Sequence, residues 1–542
     1  MITKYDSTTK IWYNDKVTKR VFDEHMGLGQ TLLYLLSLCP ENVCQISYDD
    51  DSRRTNGEIM DATLVIAYNL TKFGCKQGNV ITYVCNNSHD LTPAILAGFL
   101  LGTPINVIDP GFPKDDILRM FQLVEPYVVF CDDNMADMVE SLLKKLGSDA
   151  HIFTLGLKIP GFTHIGVLMD DNGDENGVEK LSQNPPEVDG NSCAAIVWSS
   201  GTTGLAKGVA VSHKRLMTGT IDANIKRSLN PGDNLISFKT LFLTSALNSL
   251  IFGISHCVPR ILTRTQFSPQ LFMDLYHKYK IGVFFSTPHI TTQLINSGLL
   301  SHGMLDNIKY YVTTGAPMTA YLESKMFEYL RNGIIYNIYG LTECGGIALN
   351  IRPTSVRTVG QLVPGVQAKI IDNCGDQLGV NETGELCVKT ESFFLNYWKK
   401  PEDIKQSLDG DGWFHTGDLG YFNHEGNLII LGRSRDVLNH EGGHIYPAEM
   451  EEILQKHPAI EDIAIVGIPD PDRTHHIIPT AVVVKSAVSE VTEQELATVI
   501  QWKVRLCGGV YFIQMMPRTV SGKIQRCKLK DMVVNLGKKN KY

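Results

Sequence analysis

An apolar strand pattern that runs directly into a glycine-rich polar loop, at residues 194–208, constrains this chain more than any other feature. Residues 194–198 read Ala-Ala-Ile-Val-Trp, which is typical of a buried strand. The ten residues that follow contain three glycines, four hydroxyl side chains and one lysine, Lys207. Glycines let backbone N–H groups turn inward, and the hydroxyls and the lysine add donors and positive charge. A loop of this composition suits a polyphosphate.

The loop does not have the order of a Walker A motif. That motif needs Gly-Lys followed directly by Ser or Thr, whereas Lys207 follows Ala206 and precedes Gly208. The sequence therefore excludes a P-loop NTPase. A flexible surface turn remains the alternative explanation for an isolated Gly/Ser/Thr run, so the interpretation depends on the rest of the chain.

Four further motifs follow in order and decide between these readings. They are Asn-Ile-Tyr-Gly-Leu-Thr-Glu at 337–343, Gly-Trp-Phe-His-Thr-Gly-Asp-Leu-Gly-Tyr at 412–421, Leu-Gly-Arg-Ser-Arg-Asp at 431–436 and Pro-Arg-Thr-Val-Ser-Gly-Lys-Ile-Gln-Arg-Cys-Lys-Leu at 517–529. In order and spacing the five motifs resemble the adenylate-forming superfamily: acyl-CoA synthetases, 4-coumarate–CoA ligases, beetle luciferases and adenylation domains of peptide synthetases. The resemblance extends from about Ile46 to Leu529. Five motifs in order make a chance match a poor explanation.

The alternation of elements predicts an α/β fold with parallel sheets. Apolar runs at 80–84, 127–130 and 283–285 predict strands, and helix-like patterns at 116–123 and 136–146 lie between such runs. The apolar stretch 242–258 predicts a buried helix that lines a pocket, because it is too short and too polar to span a bilayer with confidence. The polar stretch 170–191 predicts a surface loop.

The texture of the chain changes after Gly432, where a polar segment precedes a compact α+β pattern. A helix is predicted at 447–454, and strands are predicted at 460–468 and 480–485. The resemblance implies the same organisation, a large N-terminal domain of layered sheets and helices and a small α+β C-terminal lid. We expect the N-terminal adenylation domain at 1–432, a hinge at 433–436 and the lid domain at 437–542.

Composition bounds the partners and the compartment. The 542 residues carry a formal net charge of −8, which argues against general nucleic-acid binding. Twelve scattered cysteines without a CxxC pair indicate reduced thiols. No secretory signal or transmembrane segment is predicted, and the C-terminal Lys-Asn-Lys-Tyr differs from the Ser-Lys-Leu-type peroxisomal address of many relatives. We expect a cytosolic protein, with the peroxisome as the alternative, and a monomer or weak homodimer.

The resemblance assigns the residues that would bind ATP. The β- and γ-phosphates would be held by Ser199, Ser200, Gly201, Thr202, Thr203, Gly204 and Lys207. Relatives usually carry proline at the position of Ala206, a change that removes no donor. The adenine would lie against Asn337, Tyr339 and Gly340, with Gly315, Ala316 and Pro317 forming a wall of the adenine and acyl sites.

Four further positions would act in the reaction, three of them charged. Thr342 and Glu343 are catalytic candidates, and Glu343 offers the hard oxygen that Mg²⁺ prefers. The carboxylate of Asp418 would accept hydrogen bonds from the ribose, and Arg433 would reach the ribose or the α-phosphate.

Lys523 is the first candidate for the catalytic cation. It matches the family's C-terminal lysine, which bridges the attacking carboxylate and the α-phosphate and stabilises the charge that develops there. The neighbouring Arg526 and Lys528 are predicted to be solvated charges.

Two segments depart from the family pattern. In the loop that serves the thiol step, Gly442 is expected near coenzyme A, but Asn439 replaces a common lysine that luciferases use in light emission. In the acyl helix, Thr244, Ser245 and Ala246 stand where luciferases carry a histidine and an aromatic ring. The changes predict either drift in a surface helix or a wider apolar channel that suits a flexible acyl chain.

The sequence thus predicts an ATP-dependent acid–thiol ligase that forms an acyl-adenylate and transfers a carboxylic acid, a fatty acid in our interpretation, to coenzyme A. The cofactors and co-substrates implied are ATP, Mg²⁺ and coenzyme A, and the partner is a small carboxylic acid used in lipid metabolism. The alternatives are a luciferase-like monooxygenase and a non-catalytic protein that binds ATP or an acyl group.

Overall fold

The computed structural model describes most of the chain. The described residues are 2–16, 22–23, 25–170, 173–199, 207–218, 229–351, 358–391, 393–440, 443–470, 473, 476–486, 491–499 and 506–539. Side chains are described for all of these except 497–499 and 537–539.

The helices of the described residues follow the chain in this order: α1 (Leu28–Ser37), α2 (Asn56–Lys72), α3 (Leu91–Leu101), α4 (Lys114–Val124), α5 (Ala136–Leu146), α6 (Glu175–Gln183), α7 (His213–Thr218), α8 (Thr244–His256), α9 (Pro269–Lys278), α10 (Pro288–Asn296), α11 (Ala320–Leu330), α12 (Pro447–Leu454), α13 (Glu493–Val499) and α14 (Arg526–Lys539). Short 3₁₀ turns occupy Asp133–Met135, Ile165–Val167, Pro401–Gln406 and Ser434–Asp436.

The strands follow in the same way: β1 (Lys4–Asp6), β2 (Ile11–Tyr13), β3 (Val43–Ser47), β4 (Arg53–Thr55), β5 (Ile81–Val84), β6 (Ile105–Ile108), β7 (Val128–Asp132), β8 (His151–Leu155), β9 (Thr163–His164), β10 (Cys193–Ser199), β11 (Lys207–Ser212), β12 (Asn234–Ser237), β13 (Arg260–Leu262), β14 (Ile281–Ser286), β15 (Tyr310–Thr314), β16 (Ile334–Leu341), β17 (Gly345–Asn350), β18 (Gln361–Leu362), β19 (Val366–Ile371), β20 (Gly384–Thr390), β21 (Asn396–Tyr397), β22 (Phe414–Phe422), β23 (Leu428–Arg433), β24 (Leu438–His440), β25 (Gly443–Ile445), β26 (Ile460–Pro469), β27 (Ile477–Lys485) and β28 (Val510–Ile513).

Two large sheets form the body of the molecule. Sheet A has the order β21-β11-β10-β6-β5-β7-β8-β9, and sheet B has the order β18-β17-β16-β15-β14-β12-β13-β3-β4. The central strands of both sheets run parallel, and antiparallel strands occur at the edges. All four residues of β5 are buried, as are all eleven of α3. Parallel strands covered on both faces need such continuous apolar runs, which explains why the sequence shows no alternation there.

A third sheet and a separate small unit complete the fold. Sheet C is antiparallel, with the order β1-β2-β19-β20-β22-β23. β22 alternates buried and half-buried residues along its whole length, as a strand with one covered face does. After it come the hairpin β24-β25 and the sheet β26-β27-β28, which helices α12, α13 and α14 accompany.

The hydrophobic clusters divide at the predicted hinge. The fully buried members of the clusters at 438–533 are distinct from those of residues 12–430, and the 3₁₀ turn Ser434–Asp436 lies between them, although the partly buried Val520 packs against the main cluster. The domain boundary at 433–436 stays a prediction. Within the residues described, no helix combines the length and the apolar character that a membrane crossing needs.

The predicted fold class is confirmed: an α/β body with layered sheets and a small α+β C-terminal unit. The stretch 170–191 was predicted as a loop, and this is wrong in part, because Glu175–Gln183 forms α6. Asp174 caps this helix through the Gly177 N–H, and its carboxylate also contacts the Tyr68 hydroxyl and Lys72 Nζ of α2, the latter at 2.9 Å. These tertiary contacts stabilise a helix that its polar, glycine-containing sequence does not predict.

The prediction of a solvated Arg526 is also wrong. Its guanidinium donates to Oε1 and Oε2 of Glu451 at 2.6 and 3.0 Å, and to the carbonyl of Ile465 at 2.8 Å. The side chain is 23% exposed and joins α14 to α12 and β26. Lys528 is exposed, as predicted.

We therefore expect Arg526→Met to destabilise the C-terminal unit, because Glu451 would keep a half-buried charge without its partner. The free energy of opening that unit should fall by about 3 kcal/mol. Hydrogen exchange of the β26 amides measures this quantity. The exposed Lys528→Met serves as the control, with an expected change within about 0.5 kcal/mol. Equal effects of the two substitutions would contradict the structural role of Arg526.

Candidate active site

The glycine-rich loop joins two antiparallel strands of sheet A. β10 ends at Ser199 and β11 begins at Lys207, and these two residues are register partners. The Ser199 hydroxyl donates to the Lys207 carbonyl at 3.5 Å. The predicted phosphate-binding residues Ser200, Gly201, Thr202, Thr203 and Gly204, together with Ala206, lie outside the described residues. The strand pair fixes both ends of the loop at one edge of the site.

Lys207 already has an anionic partner. Its Nζ lies 3.1 Å from Oδ2 of Asp403 and 4.5 Å from the ring centre of Tyr397. An arriving phosphate would therefore compete with Asp403 for the same ammonium group. The lysine is kept in place, rather than extended into solvent, while no anion is bound.

Glu343 lies at the turn between β16 and β17 and is held from several sides. The Tyr397 hydroxyl donates to its Oε1 at 3.2 Å, and the Phe394 N–H donates to its carbonyl at 2.8 Å. Burial, reinforced by the Glu343 charge, raises the pKa of Tyr397, so the phenol remains a donor. Arg215 donates through Nη2 to the carbonyl of the neighbouring Thr342. The turn is thus fixed before any substrate arrives.

These residues fit a magnesium ion. Within the described part of the chain, Oε2 of Glu343 has no hydrogen-bond partner, and it belongs to a half-buried residue. Mg²⁺ is usually bound through one or two carboxylates together with substrate phosphates. One fixed carboxylate that offers a free oxygen meets that requirement.

Arg215 is the most confined cation at this site. It is 6% exposed, and burial lowers the pKa of its guanidinium to about 10, although the charges of Cys344 and Glu343 oppose that change. Its Nη1 is buried and has no hydrogen-bond partner within the described residues. Burial of a charged side chain is costly unless the protein supplies partners for it, and the Thr342 carbonyl is one such partner for Arg215.

The predicted adenine-binding segments lie on adjacent parallel strands. Gly315, Ala316 and Pro317 follow β15, and Asn337 and Tyr339 belong to β16 beside it. Gly315 has a φ of 95°, which favours glycine at the turn. A Cβ at Gly340 would stand 2.3 Å from the Gly345 carbonyl, so this position tolerates no side chain.

Asp418 is the best-connected residue of the site. Its Oδ2 accepts a hydrogen bond from the Tyr339 hydroxyl at 2.6 Å, and its Oδ1 lies 3.0 Å from Nε of Arg433. Asp418 and Arg433 are cross-strand partners in β22 and β23. Burial raises the pKa of Asp418, and the charges of Arg433 and Lys523 oppose that rise. Each oxygen keeps a second lone pair that a ribose hydroxyl can use.

A brace behind Asp418 holds its strand. Oε1 of Glu385 accepts from the Gly417 N–H at 3.0 Å, and its Oε2 lies 3.2 Å from Nδ1 of His415. The Thr416 hydroxyl donates to the Leu386 carbonyl at 2.7 Å. Glu385, Cys387 and His415 have donor atoms within 4.8 Å of one another. These three side chains already contact one another, and Glu385 accepts from the Gly417 N–H, so we interpret the cluster as a support for the turn before Asp418 rather than as a metal site.

Lys523 extends from the C-terminal unit toward this site. Burial lowers its pKa, Arg433 lowers it further, and the charges of Asp418 and Glu343 oppose both effects. The Lys523 ammonium therefore lies within electrostatic range of Arg433, Asp418 and Glu343, three predicted site residues. Gly522, with a φ of 86°, and the bond from Arg518 Nη1 to its carbonyl at 2.7 Å shape the turn that carries Lys523.

The remaining predicted residues lie in two separate places. Asn439 is exposed in the hairpin β24-β25, where its Oδ1 lies 2.7 Å from Nδ1 of His444, and Gly442 lies outside the described residues. Thr244, Ser245 and Ala246 form the first turn of α8. Ala246 is buried in the main core, and the Thr244 hydroxyl is buried without a hydrogen-bond partner within the described residues. The first turn of α8 is therefore not part of a drifting surface helix.

Sequence reasoning did not identify three residues that shape the site: Arg215, Tyr397 and Asp403. They lie outside the five motifs and reach the site through tertiary contacts with Thr342, Glu343 and Lys207. No local signal marked them: Arg215, for example, follows His213 and Lys214, so its charge does not stand out from its neighbours.

Comparisons with known proteins identify the family of this chain and proteins with a similar fold. The family of AMP-binding enzymes matches residues 38–398, and the AMP-binding enzyme C-terminal domain matches residues 449–523. Two relatives are each 27% identical: 4-coumarate-CoA ligase 1 of Narcissus pseudonarcissus, over 96% of both chains, and luciferin 4-monooxygenase of Photuris pensylvanica, over 93% of this chain and 95% of that one. The crystal structure of the anthranilate CoA ligase AuaEII in complex with anthranoyl-AMP has a similar fold, with a TM-score of 0.83 at 20% identity, covering 96% of this chain and 100% of that one.

The contact between Arg215 and Thr342 generates a prediction. Arg215→Met keeps most of the side-chain volume but removes a charged donor, a loss that costs about 1.5 kcal/mol or more. The turn at 341–345 should therefore open more often, and exchange of the Cys344 amide, which bonds to the Leu341 carbonyl at 3.2 Å, should accelerate about tenfold. Lys214→Met on the same helix is the matched control. Unchanged exchange at Cys344 in the Arg215 variant would refute the proposal that Arg215 stabilises this turn.

Proposed function

This chain belongs to the family of AMP-binding enzymes, and we propose that it is an ATP-dependent acid–thiol ligase that activates a carboxylic acid through an acyl-adenylate and transfers it to coenzyme A. The observation that carries the proposal is the convergence of Lys523 with Arg433, Asp418 and Glu343 at one place. Because ATP and the acid are both anions, the site must neutralise negative charge and hold the reactants in position. The two cations would do the first, and the two carboxylates would bind the ribose and a metal ion. Relatives named 4-coumarate-CoA ligase and anthranilate CoA ligase support the same chemistry.

In the first step, an oxygen of the acid carboxylate attacks the α-phosphorus of ATP. A new P–O bond forms, the bond to the bridging oxygen breaks, and pyrophosphate leaves with the negative charge. Lys523 would stabilise the charge that develops between the two reactants, because its ammonium is half-buried and therefore weakly screened. Asp418 would orient the nucleotide through the ribose, and Arg433 fixes Asp418.

Part of the proposed phosphate site is already held by contacts within the protein. Lys207 would exchange Asp403 for the β- and γ-phosphates, and the donors of residues 199–204 would surround them. Glu343 would hold Mg²⁺, which supplies neutralisation of the phosphate charge when bound. The Tyr397 hydroxyl and Arg215 hold this part of the site steady, so little reorganisation is needed when ATP binds.

In the second step, the coenzyme A thiolate would attack the acyl carbon, forming a C–S bond while AMP leaves. We propose that rotation about residues 433–436 brings the hairpin that contains Gly442 to the site. The exposure of Asn439 supports this, since the end of the hairpin faces solvent and is available for contact after rotation, while Leu438 and Ile445 anchor the hairpin in the C-terminal core. Two arrangements of one lid would let a single site serve both steps.

For the acyl group we propose a flexible aliphatic acid. Its support is the small, half-buried side chain of Ser245 at the start of α8, where a larger side chain would occupy space; Ala246 is packed in the core. An aromatic acid is the second candidate, favoured by the names of the relatives. The buried Thr244 hydroxyl without a partner within the described residues also favours that candidate, because a substrate hydroxyl would satisfy it.

A luciferase-like monooxygenase is the third possibility, since luciferin 4-monooxygenase is among the relatives. Asn439 argues against it, because asparagine lacks the positive charge that the resemblance assigns to this position in light emission. Measurement of light output with luciferin and ATP would test this point.

The role of Lys523 predicts a split between the two steps. Lys523→Ala should slow ATP–pyrophosphate exchange by about 10²–10³-fold, because it removes a charge needed at the crowded α-phosphate. Turnover of supplied acyl-AMP with coenzyme A should change less than threefold. The exposed Lys528→Ala controls for loss of positive charge on the same unit. Equal loss in both assays would show that Lys523 does not act in adenylation.

The acyl proposal predicts a chain-length profile. Each methylene buried in an apolar channel contributes about 0.8 kcal/mol, so kcat/KM should rise about fourfold per carbon until the channel ends. Pyrophosphate release with a panel of saturated acids, 4-coumarate and benzoate measures this. A flat aliphatic profile with preference for 4-coumarate would replace the aliphatic proposal with the aromatic one.

A further inference from the structure

Two buried carboxyl groups meet where the C-terminal unit lies on the large domain. Glu323 of α11 is 3% exposed, and Nδ2 of Asn350 donates to both of its oxygens, at 3.0 and 3.1 Å. Glu452 of α12 comes from the other side, and its Oε1 accepts from the Ala320 N–H at 3.0 Å. The C-terminal unit thus caps the first turn of a helix of the large domain.

One oxygen of this pair lacks a donor. Oε2 of Glu452 is buried and has no hydrogen-bond partner within the described residues. Burial raises the pKa of Glu323 to about 8, and the charge of Glu452 contributes to the rise. A protonated Glu323 carries the O–H donor that two carboxylates would lack, and it removes one of two like charges.

The surrounding cations do not neutralise the pair. In the described part of the chain, Arg526 is held by Glu451, Arg518 by Asp462, and Lys325 by Glu328. On α10, His289 faces Arg518 and Lys239. Glu461 of β26 uses its carbonyl to accept from Asn296 at 3.3 Å. Glu452 is the charged group that acts on Glu323.

We propose that Glu323 and Glu452 are positioning residues for adenylation, and that a proton held by Glu323 allows Glu452 to keep the C-terminal unit in the arrangement that brings Lys523 to the site. The proposal rests on the proposed function for its consequence, because Lys523 acts only when this unit is docked. The proton on Glu323 would take no part in the chemistry and would act only on the contact between the C-terminal unit and the large domain.

The direction of the pH dependence follows from the two states. When the unit is undocked, Glu323 loses the neighbouring charge of Glu452 and the burial that the unit contributes, so its pKa falls toward the ordinary value of a glutamate, about 4.3. When it is docked, the proton is retained up to a pH of about 8. The docked state therefore binds one more proton between these values, and docking weakens by up to tenfold per pH unit as the pH rises toward 8. Above 8 the dependence ends.

Glu323→Gln tests the proposal, because glutamine permanently supplies the donor of the protonated acid at nearly the same volume. Between pH 6 and 8, the ratio of ATP–pyrophosphate exchange to turnover of supplied acyl-AMP should fall at least tenfold in the wild type and less than twofold in Glu323→Gln. Glu328→Gln, an exposed change on the same helix, should keep the wild-type slope. The same slope in wild type and Glu323→Gln would overturn the proposal.

A second measurement does not depend on activity. The Ala320 amide is protected by Glu452 only while the unit is docked, so its hydrogen exchange, corrected for intrinsic rates, should rise with pH in the wild type and stay level in Glu323→Gln. Loss of catalysis in all variants, with this exchange pattern intact, would count against the proposed ligase function alone. Equal protection at pH 6 and 8 in the wild type would refute the role of the Glu323 proton in docking.

Discussion

The contact of Asp418 with Tyr339 and Arg433 is the interaction on which the site depends. Tyr339 comes from sheet B and Asp418 from sheet C, so one buried carboxylate joins the two sheets where they meet. Arg433 pairs with it at the last residue before the polar turn that leads to the C-terminal unit. A buried carboxylate is tolerated only with such partners, and each partner ties it to a different element. The position of the hinge is therefore coupled to the position of the proposed ribose ligand.

The site is assembled from charges that already have protein partners. Lys207 is paired with Asp403, Glu343 is bonded to Tyr397, and Arg215 is bonded to the Thr342 carbonyl. Such pairs limit the movement that substrate binding requires, and they keep the site from presenting bare charges. Ligands would then bind by exchange of partners, which couples the affinity for ATP to the strength of the internal pairs.

The C-terminal unit brings both a charge and a means of holding it in place. Lys523 lies near the carboxylates of the large domain, and Glu452 caps a helix of that domain. Lys523 and the carboxylates near it attract each other, but Glu323 and Glu452 would repel each other if both were ionised. The proposed docking therefore depends on a proton on Glu323. The interface thus combines one attraction that serves the chemistry with one contact whose strength varies with pH.

The sequence by itself determined the fold class and the five motifs, because these are local features, whereas the hinge at 433–436 stays a prediction. Long apolar runs predict strands buried on both faces, as in β5. A position that lies against a neighbouring carbonyl and accepts no side chain is occupied by glycine, as at Gly340, so the sequence itself shows it. The tertiary structure alone decided which distant residues meet. It gave Arg526 a buried partner in Glu451, formed α6 through contacts of Asp174 with α2, and brought Arg215, Tyr397 and Asp403 to the motif residues. Burial and pairing depend on residues far apart in the chain, so no local pattern records them.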